Sequence, residues 1–156
     1  MSIESKPSIL AFAPNWIGDA AMCTPALRAL ARRFPAYRLE IVARPPVCAL
    51  LEELPWLHGF HAIPPKGDAR AFLDFALALR RGRPAIAVVF PHSFRAALLA
   101  AMSGAARRAG YARNGRSFLL THAPNPYREQ GRIVPIYMTR EYLTLVETLG
   151  CEDDGH

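Results

Sequence analysis

Short apolar runs alternate with longer amphipathic ones along this 156-residue chain, and few folds accept that alternation. Residues 8–13, "SILAFA", are too short for a helix and are bounded by prolines. Residues 19–34 then carry helical periodicity: Met22, Ala26, Leu27 and Leu30 share a face, and Arg28, Arg32 and Arg33 lie off it. Pro35 ends that run. The pattern then repeats. Residues 38–43 read as a second strand, 45–54 as a short helix opened by Pro45–Pro46, and 59–63 as a weaker strand. A helix is predicted over 69–81, with Phe72, Phe75, Ala76 and Leu79 facing inward. "AIAVVF" at 85–90 is the clearest strand; a helix over 93–102, a strand over 107–111 and a last helix over 135–149 follow. Such alternation predicts a parallel sheet covered on both faces. Right-handed crossovers make it a Rossmann-like, doubly wound α/β sheet, one domain over 1–150 with an acidic tail over 151–156.

In such a sheet ligands bind beyond the carboxyl ends of the strands, near the reversal of strand order. The loops at 14–18, 43–46 and 90–95 are therefore expected along one edge. The first of them, "APNWIGDA", has one glycine where a dinucleotide fold places three. Arg44, not an acid, ends the second strand, so a nicotinamide dinucleotide has nothing to hold its ribose. There is no Walker A sequence and no GxSxG elbow. The five histidines and three cysteines show no metal-ligand spacing, so no metal or cofactor is expected.

Asp19, in that first turn, has two readings. It is a favoured helix cap, and it is also a carboxylate able to act as a base at the edge of the sheet. Gly18 before it leaves room for a ligand to approach the backbone. The net charge of +6 comes almost wholly from arginine, since Lys6 and Lys66 are the only lysines. Guanidinium forks suit phosphates and carboxylates, though an arginine- and alanine-rich chain is also what a GC-rich genome gives. No apolar run reaches the roughly 20 residues of a membrane-spanning helix. The first residues lack the charged start and apolar stretch of a secretory leader, so a cytoplasmic location is expected.

Four blocks, in order, resemble a known family: "PNWIGDAAMCTPALRALARRFP", "VARPP", "PHSFRAALLAAMSGAARRAGYARNGRSFLLT" and "GRIVPIYMTREYLTLVETLG". Across residues 8–150 they are similar to the N-terminal half of bacterial ADP-heptose:lipopolysaccharide heptosyltransferases, most closely the heptosyltransferase II type. The resemblance implies a GT-B glycosyltransferase, built from two Rossmann-like domains. This one would receive the acceptor, and a C-terminal donor domain would hold most of the ADP-heptose. It implies inverting transfer of heptose to the lipopolysaccharide inner core, with Asp19 as general base. Asn15, Arg44, Ser93 and Arg95 would bind the acceptor, and Trp16 and Gly18 would lie near the donor. Each has a plainer reading: a loop-stabilising Asn15, solvated Arg44 and Arg95, a capping Ser93, and a Trp16 stapled onto the next helix. A peripheral contact with the inner face of the inner membrane is compatible with such an acceptor. No nucleic-acid partner is expected. The resemblance also implies that one half alone turns over nothing measurable. The competing reading is a non-catalytic module that binds nucleic acid or a membrane surface through "RRAGYARNGRSF".

Overall fold

Five parallel strands lie side by side in the order β3-β2-β1-β4-β5. They are β1 (Ser8–Phe12), β2 (Arg38–Ala43), β3 (Gly59–Ala62), β4 (Ile86–Val89) and β5 (Arg107–Gly110). The computed structural model describes residues 6–153 and 155. β1 is buried along its whole length, as a central strand covered on both sides must be. Phe12 at its end stands level with Val42 of β2 and Val89 of β4. The chain runs outward from β1 to β3, returns to β4 and goes out to β5, so strand order reverses between β1 and β4. The expected doubly wound α/β sheet is present, with a crevice where those two strands end.

Two apolar layers sandwich the sheet. Ile9 and Ala11 of β1 join α1 (Ile17–Met22), α2 (Thr24–Arg33), α3 (Pro45–Leu51) and α6 (Met138–Glu147) in one core. Leu10 and Phe12 join α4 (Ala69–Arg81) and α5 (Phe94–Met102) in the other. Ala76 and Leu79 of α4 are buried and Phe72 and Phe75 pack against that core, which is the inward face expected from the sequence.

Three details differ from expectation. The single helix predicted over 19–34 is two helices, meeting at Cys23. Pro25 sits in the first turn of α2, where its missing N–H costs nothing; inside a continuous helix it would clash with the preceding turn. A small antiparallel hairpin, β6 (Arg128–Glu129) with β7 (Arg132–Ile133), had no visible alternation because each strand has two residues. Its turn places Gln130 and Gly131 at φ of 48° and 82°. Cys151, the first residue of the expected tail, is packed in the core at 4 % exposure.

One carboxylate lies within the sheet. Glu40 of β2 is 7 % exposed, with Arg38 at 2.6 Å and His61 at 2.8 Å. The His61 hydrogen bond, aided by the Arg38 charge, holds its carboxyl below the usual range despite burial. A carboxyl lowered on folding adds stability above its unfolded value, and that stability is lost as pH falls through the folded value. Glu40→Gln is therefore expected to cost about 1–2 kcal/mol at neutral pH, since both partners are partly solvated. The gap should narrow in urea melts as pH falls below the ordinary carboxylate range and close once it is below the lowered folded value, where both states are protonated. A gap that persists there would mean that packing, not charge, is what Gln disturbs.

Candidate functional site

The crevice at the strand reversal is a cavity of about 770 Å³. Phe12, Ile63 and Leu99 give it an apolar floor, and Asn15, Arg44, Lys66, Ser93 and Arg95 supply its polar wall. Those residues come from the loops after β1, β2, β3 and β4 and, for Arg95, from the first turn of α5. Three cations and no carboxylate line it. An anionic or strongly hydrogen-bonding ligand matches such a wall.

Each polar residue is placed by a local cause. Arg44 precedes the Pro45–Pro46 start of α3 in an extended conformation, which a following proline favours. Its side chain is exposed and forms no ion pair among the described residues. Asn15 is exposed and its side chain makes no hydrogen bond among the described residues, so loop stabilisation does not account for it. Arg95 is held in place: its guanidinium lies 5.0 Å from the centre of the Phe72 ring and donates to the Pro64 carbonyl at 3.4 Å. That tether cuts the entropy lost when a ligand binds. Ser93 caps α5, its Oγ accepting from Ala96 N at 3.1 Å. The capping reading of Ser93 is thus present, and its hydroxyl proton remains free to donate. Lys66 was missed by the sequence reading, which placed the loops after β1, β2 and β4 on this edge but not the one after β3.

Asp19, Trp16 and Gly18 do not line the cavity. They follow Asn15 directly in the chain, Trp16 as the N-cap of α1 and Gly18 and Asp19 in its first turn. The N-cap of α1 is Trp16, with no side-chain cap bond, so Asp19 does not cap the helix. Its half-buried carboxylate has no hydrogen bond or ion pair among the described residues. Its charge is felt by Tyr142 of α6, whose hydroxyl is pushed up chiefly by burial. A Cβ placed on Gly18 would meet nothing within 4 Å, so the approach beside Asp19 is open. Trp16 is 72 % exposed, which removes the staple reading and leaves an uncovered indole face.

A second set of contacts fixes the outer part of this edge. Arg116 is fully buried. Its Nε donates to the Tyr111 carbonyl at 2.9 Å, and one terminal nitrogen donates to the Pro91 carbonyl at 2.6 Å and the Ser93 carbonyl at 3.0 Å. Burial, then the neighbouring Arg113 charge, bring its guanidinium down to about 10. Arg108 donates to the Leu119 and Ala105 carbonyls at 2.6 and 2.7 Å. Arg107 lies over the Phe34 ring, and Arg113 meets His92 at 2.9 Å. Every arginine of "RRAGYARNGRSF" is therefore engaged within the fold. That weakens the case for this stretch as a nucleic-acid or membrane surface.

Among the described residues, no three His, Cys, Asp or Glu side chains gather as a metal set, and no helix is long and apolar enough to cross a membrane. No protein-family model matches the sequence, and no curated protein does. Solved structures do match. The ADP-heptose lipopolysaccharide heptosyltransferase II of E. coli superposes with a TM-score of 0.75 at 24 % identity, over 95 % of this chain and 41 % of that one. The fold is that of the N-terminal part of the heptosyltransferases. A family 9 glycosyltransferase from Veillonella parvula gives 0.75 at 19 % identity, over 98 % of this chain and 43 % of that one. E. coli heptosyltransferase WaaC with ADP gives 0.71 at 15 %, over 96 % and 49 %. The chain thus spans less than half the length of each of these glycosyltransferases.

Proposed function

We propose that this chain is the acceptor-binding half of a heptosyltransferase. In that reading it moves heptose from ADP-heptose to the lipopolysaccharide inner core with inversion, in the cytoplasm and in peripheral contact with the inner membrane. The observation that carries the reading is an uncommitted carboxylate, Asp19, beside a cationic cavity at the strand reversal. The acceptor's phosphates or acidic sugars dock against Arg44, Lys66 and Arg95, and its hydroxyls meet Asn15 and Ser93. Asp19 takes the proton of the attacking hydroxyl as the new carbon–oxygen bond forms at the anomeric carbon. The bond to ADP breaks with its electron pair on the diphosphate, whose charge the donor half must receive. Trp16 offers a face for a sugar ring, and Gly18 leaves the backbone bare where the donor must come close. Among the matched structures are an ADP-heptose heptosyltransferase and a heptosyltransferase solved with ADP, and that supports the choice of donor.

The acceptor assignment is tested in the two-domain enzyme with ADP-heptose and an inner-core acceptor. Arg44→Ala and Arg95→Ala are each expected to raise the acceptor KM about tenfold, the scale of one charge-assisted hydrogen bond. The KM for ADP-heptose and kcat should move far less. An acceptor KM that does not change would make both arginines surface charges.

A further inference from the structure

The turn between β4 and α5 carries Pro91 and Ser93 on the cavity wall, and the first turn of α5 adds Arg95. His92 belongs to the same turn but not to that wall. Its ring is held by two other elements. Arg113, beyond β5, brings a guanidinium nitrogen to Nδ1 at 2.9 Å. Arg113 can only donate, so Nδ1 accepts and the ring proton sits on Nε2. Nε2 faces Glu141 Oε1 of α6 at 3.1 Å, off the hydrogen-bond axis, so the attraction is electrostatic. Asn114 donates to the His92 carbonyl at 2.6 Å, and the Tyr111 ring stands edge-on to the imidazole at 6.1 Å.

Glu141 is the unusual member of this group. It is 8 % exposed on the core side of α6, and the polar Nε2–H edge of the His92 ring is what its carboxylate faces. A carboxylate in that place is costly, and an apolar residue would pack there at least as well. Its backbone carbonyl is also used, accepting from the Tyr111 hydroxyl at 2.5 Å. The next residue, Tyr142, packs edge-on against Phe90 at the end of β4 and feels the Asp19 charge. α6 thus touches the cavity turn on one side and the Asp19 helix on the other.

We propose that His92 and Glu141 form a positioning pair that fixes the β4–α5 turn, and with it Ser93 and Arg95, against α6. Neither residue touches the ligand. The role in acceptor binding rests on the proposed function, but the fixing of the turn does not.

Hydrogen exchange on this chain tests the pair without a ligand. The Ala96 and Ala97 amides bond to Ser93 and report on the turn. His92→Phe keeps a ring and loses both polar contacts, and Glu141→Leu suits the apolar surroundings. Both should speed exchange at Ala96 and Ala97 about tenfold while the β1 and β2 amides keep their protection. The melting temperature of the Leu variant should hold or rise. His92→Gln, whose amide can reach toward Glu141, should restore slow exchange. Unchanged exchange at the turn, or equal acceleration through the sheet, would overturn the proposal.

Inorganic pyrophosphate then probes the cavity, and both disruptive variants should weaken its binding about tenfold. If the unaltered chain binds none while the turn still loosens locally, the pair stands and the anionic-acceptor reading falls. If the chain binds and the variants bind equally well, the pair does not position the site.

Discussion

Asp19→Asn should abolish sugar transfer while leaving the protein as stable as before. In the two-domain enzyme we expect kcat to fall about 10³-fold, the scale of a lost general base. Asn keeps the size of the side chain and loses only the ability to take a proton. The carboxylate has no hydrogen bond or ion pair among the described residues and does not cap α1, so little structure depends on it. The melting temperature should therefore stay within the span of a neutral surface change, about 0.5 kcal/mol. ADP-heptose binding should also persist. Turnover within tenfold of the unaltered enzyme would remove Asp19 from the mechanism. Lost turnover with a large fall in stability would make it a structural residue.

Arg116→Met carries the largest expected effect on folding. The guanidinium ties three carbonyls from two loops, those of Tyr111, Pro91 and Ser93, with no carboxylate beside it. Methionine fills similar space and satisfies none of them. The Pro91 carbonyl is then left without a partner, at about 1–3 kcal/mol, while the Tyr111 and Ser93 carbonyls keep the Arg113 and Ala97 amides and lose about 1 kcal/mol each; part of this is offset because a desolvated cation has also gone. A net loss of about 3 kcal/mol lowers the melting temperature of a domain this size by roughly 6–12 °C. Arg116→Lys should fall between, because one ammonium cannot reach both loops with the same geometry. A Met variant that melts within about 2 °C of the parent would show that the loops hold each other by packing alone.

The difference between these residues also shows what a sequence can reveal. β1 and β4 were legible because they are buried on both faces and read as short apolar runs, and β2 because its last residues, Ile41 to Ala43, do the same after Arg38 and Glu40. α4 was legible to the residue, since Asp68 caps it, the apolar face has helical spacing, and Gly82 follows. Four of the cavity residues were placed by topology alone: they sit just beyond the carboxyl ends of β1, β2 and β4. Lys66 escaped because β3 is short and half-buried, so the loop after it was not recognised as part of the same edge. Arg116 was beyond reach for another reason. A buried arginine and a solvated one look identical in a polar loop; only the three-dimensional course of residues 111–120 tells them apart. The role proposed for Asp19 came from a resemblance, and the structure adds that its carboxylate does not cap the helix.

The two outer strands of the sheet are finished in different ways. Beside β5, residues 121–124 run along the free edge: Gly110 N bonds the His122 carbonyl at 3.0 Å and Ala112 N bonds the Pro124 carbonyl at 2.9 Å. Among the described residues β3 has no such cover, yet it has only four residues and runs out at Pro64–Pro65. A proline pair cannot extend a hydrogen-bonded ladder, so an incoming strand finds little to grip. Concentrated protein is therefore expected to resist growth by strand addition into fibrils.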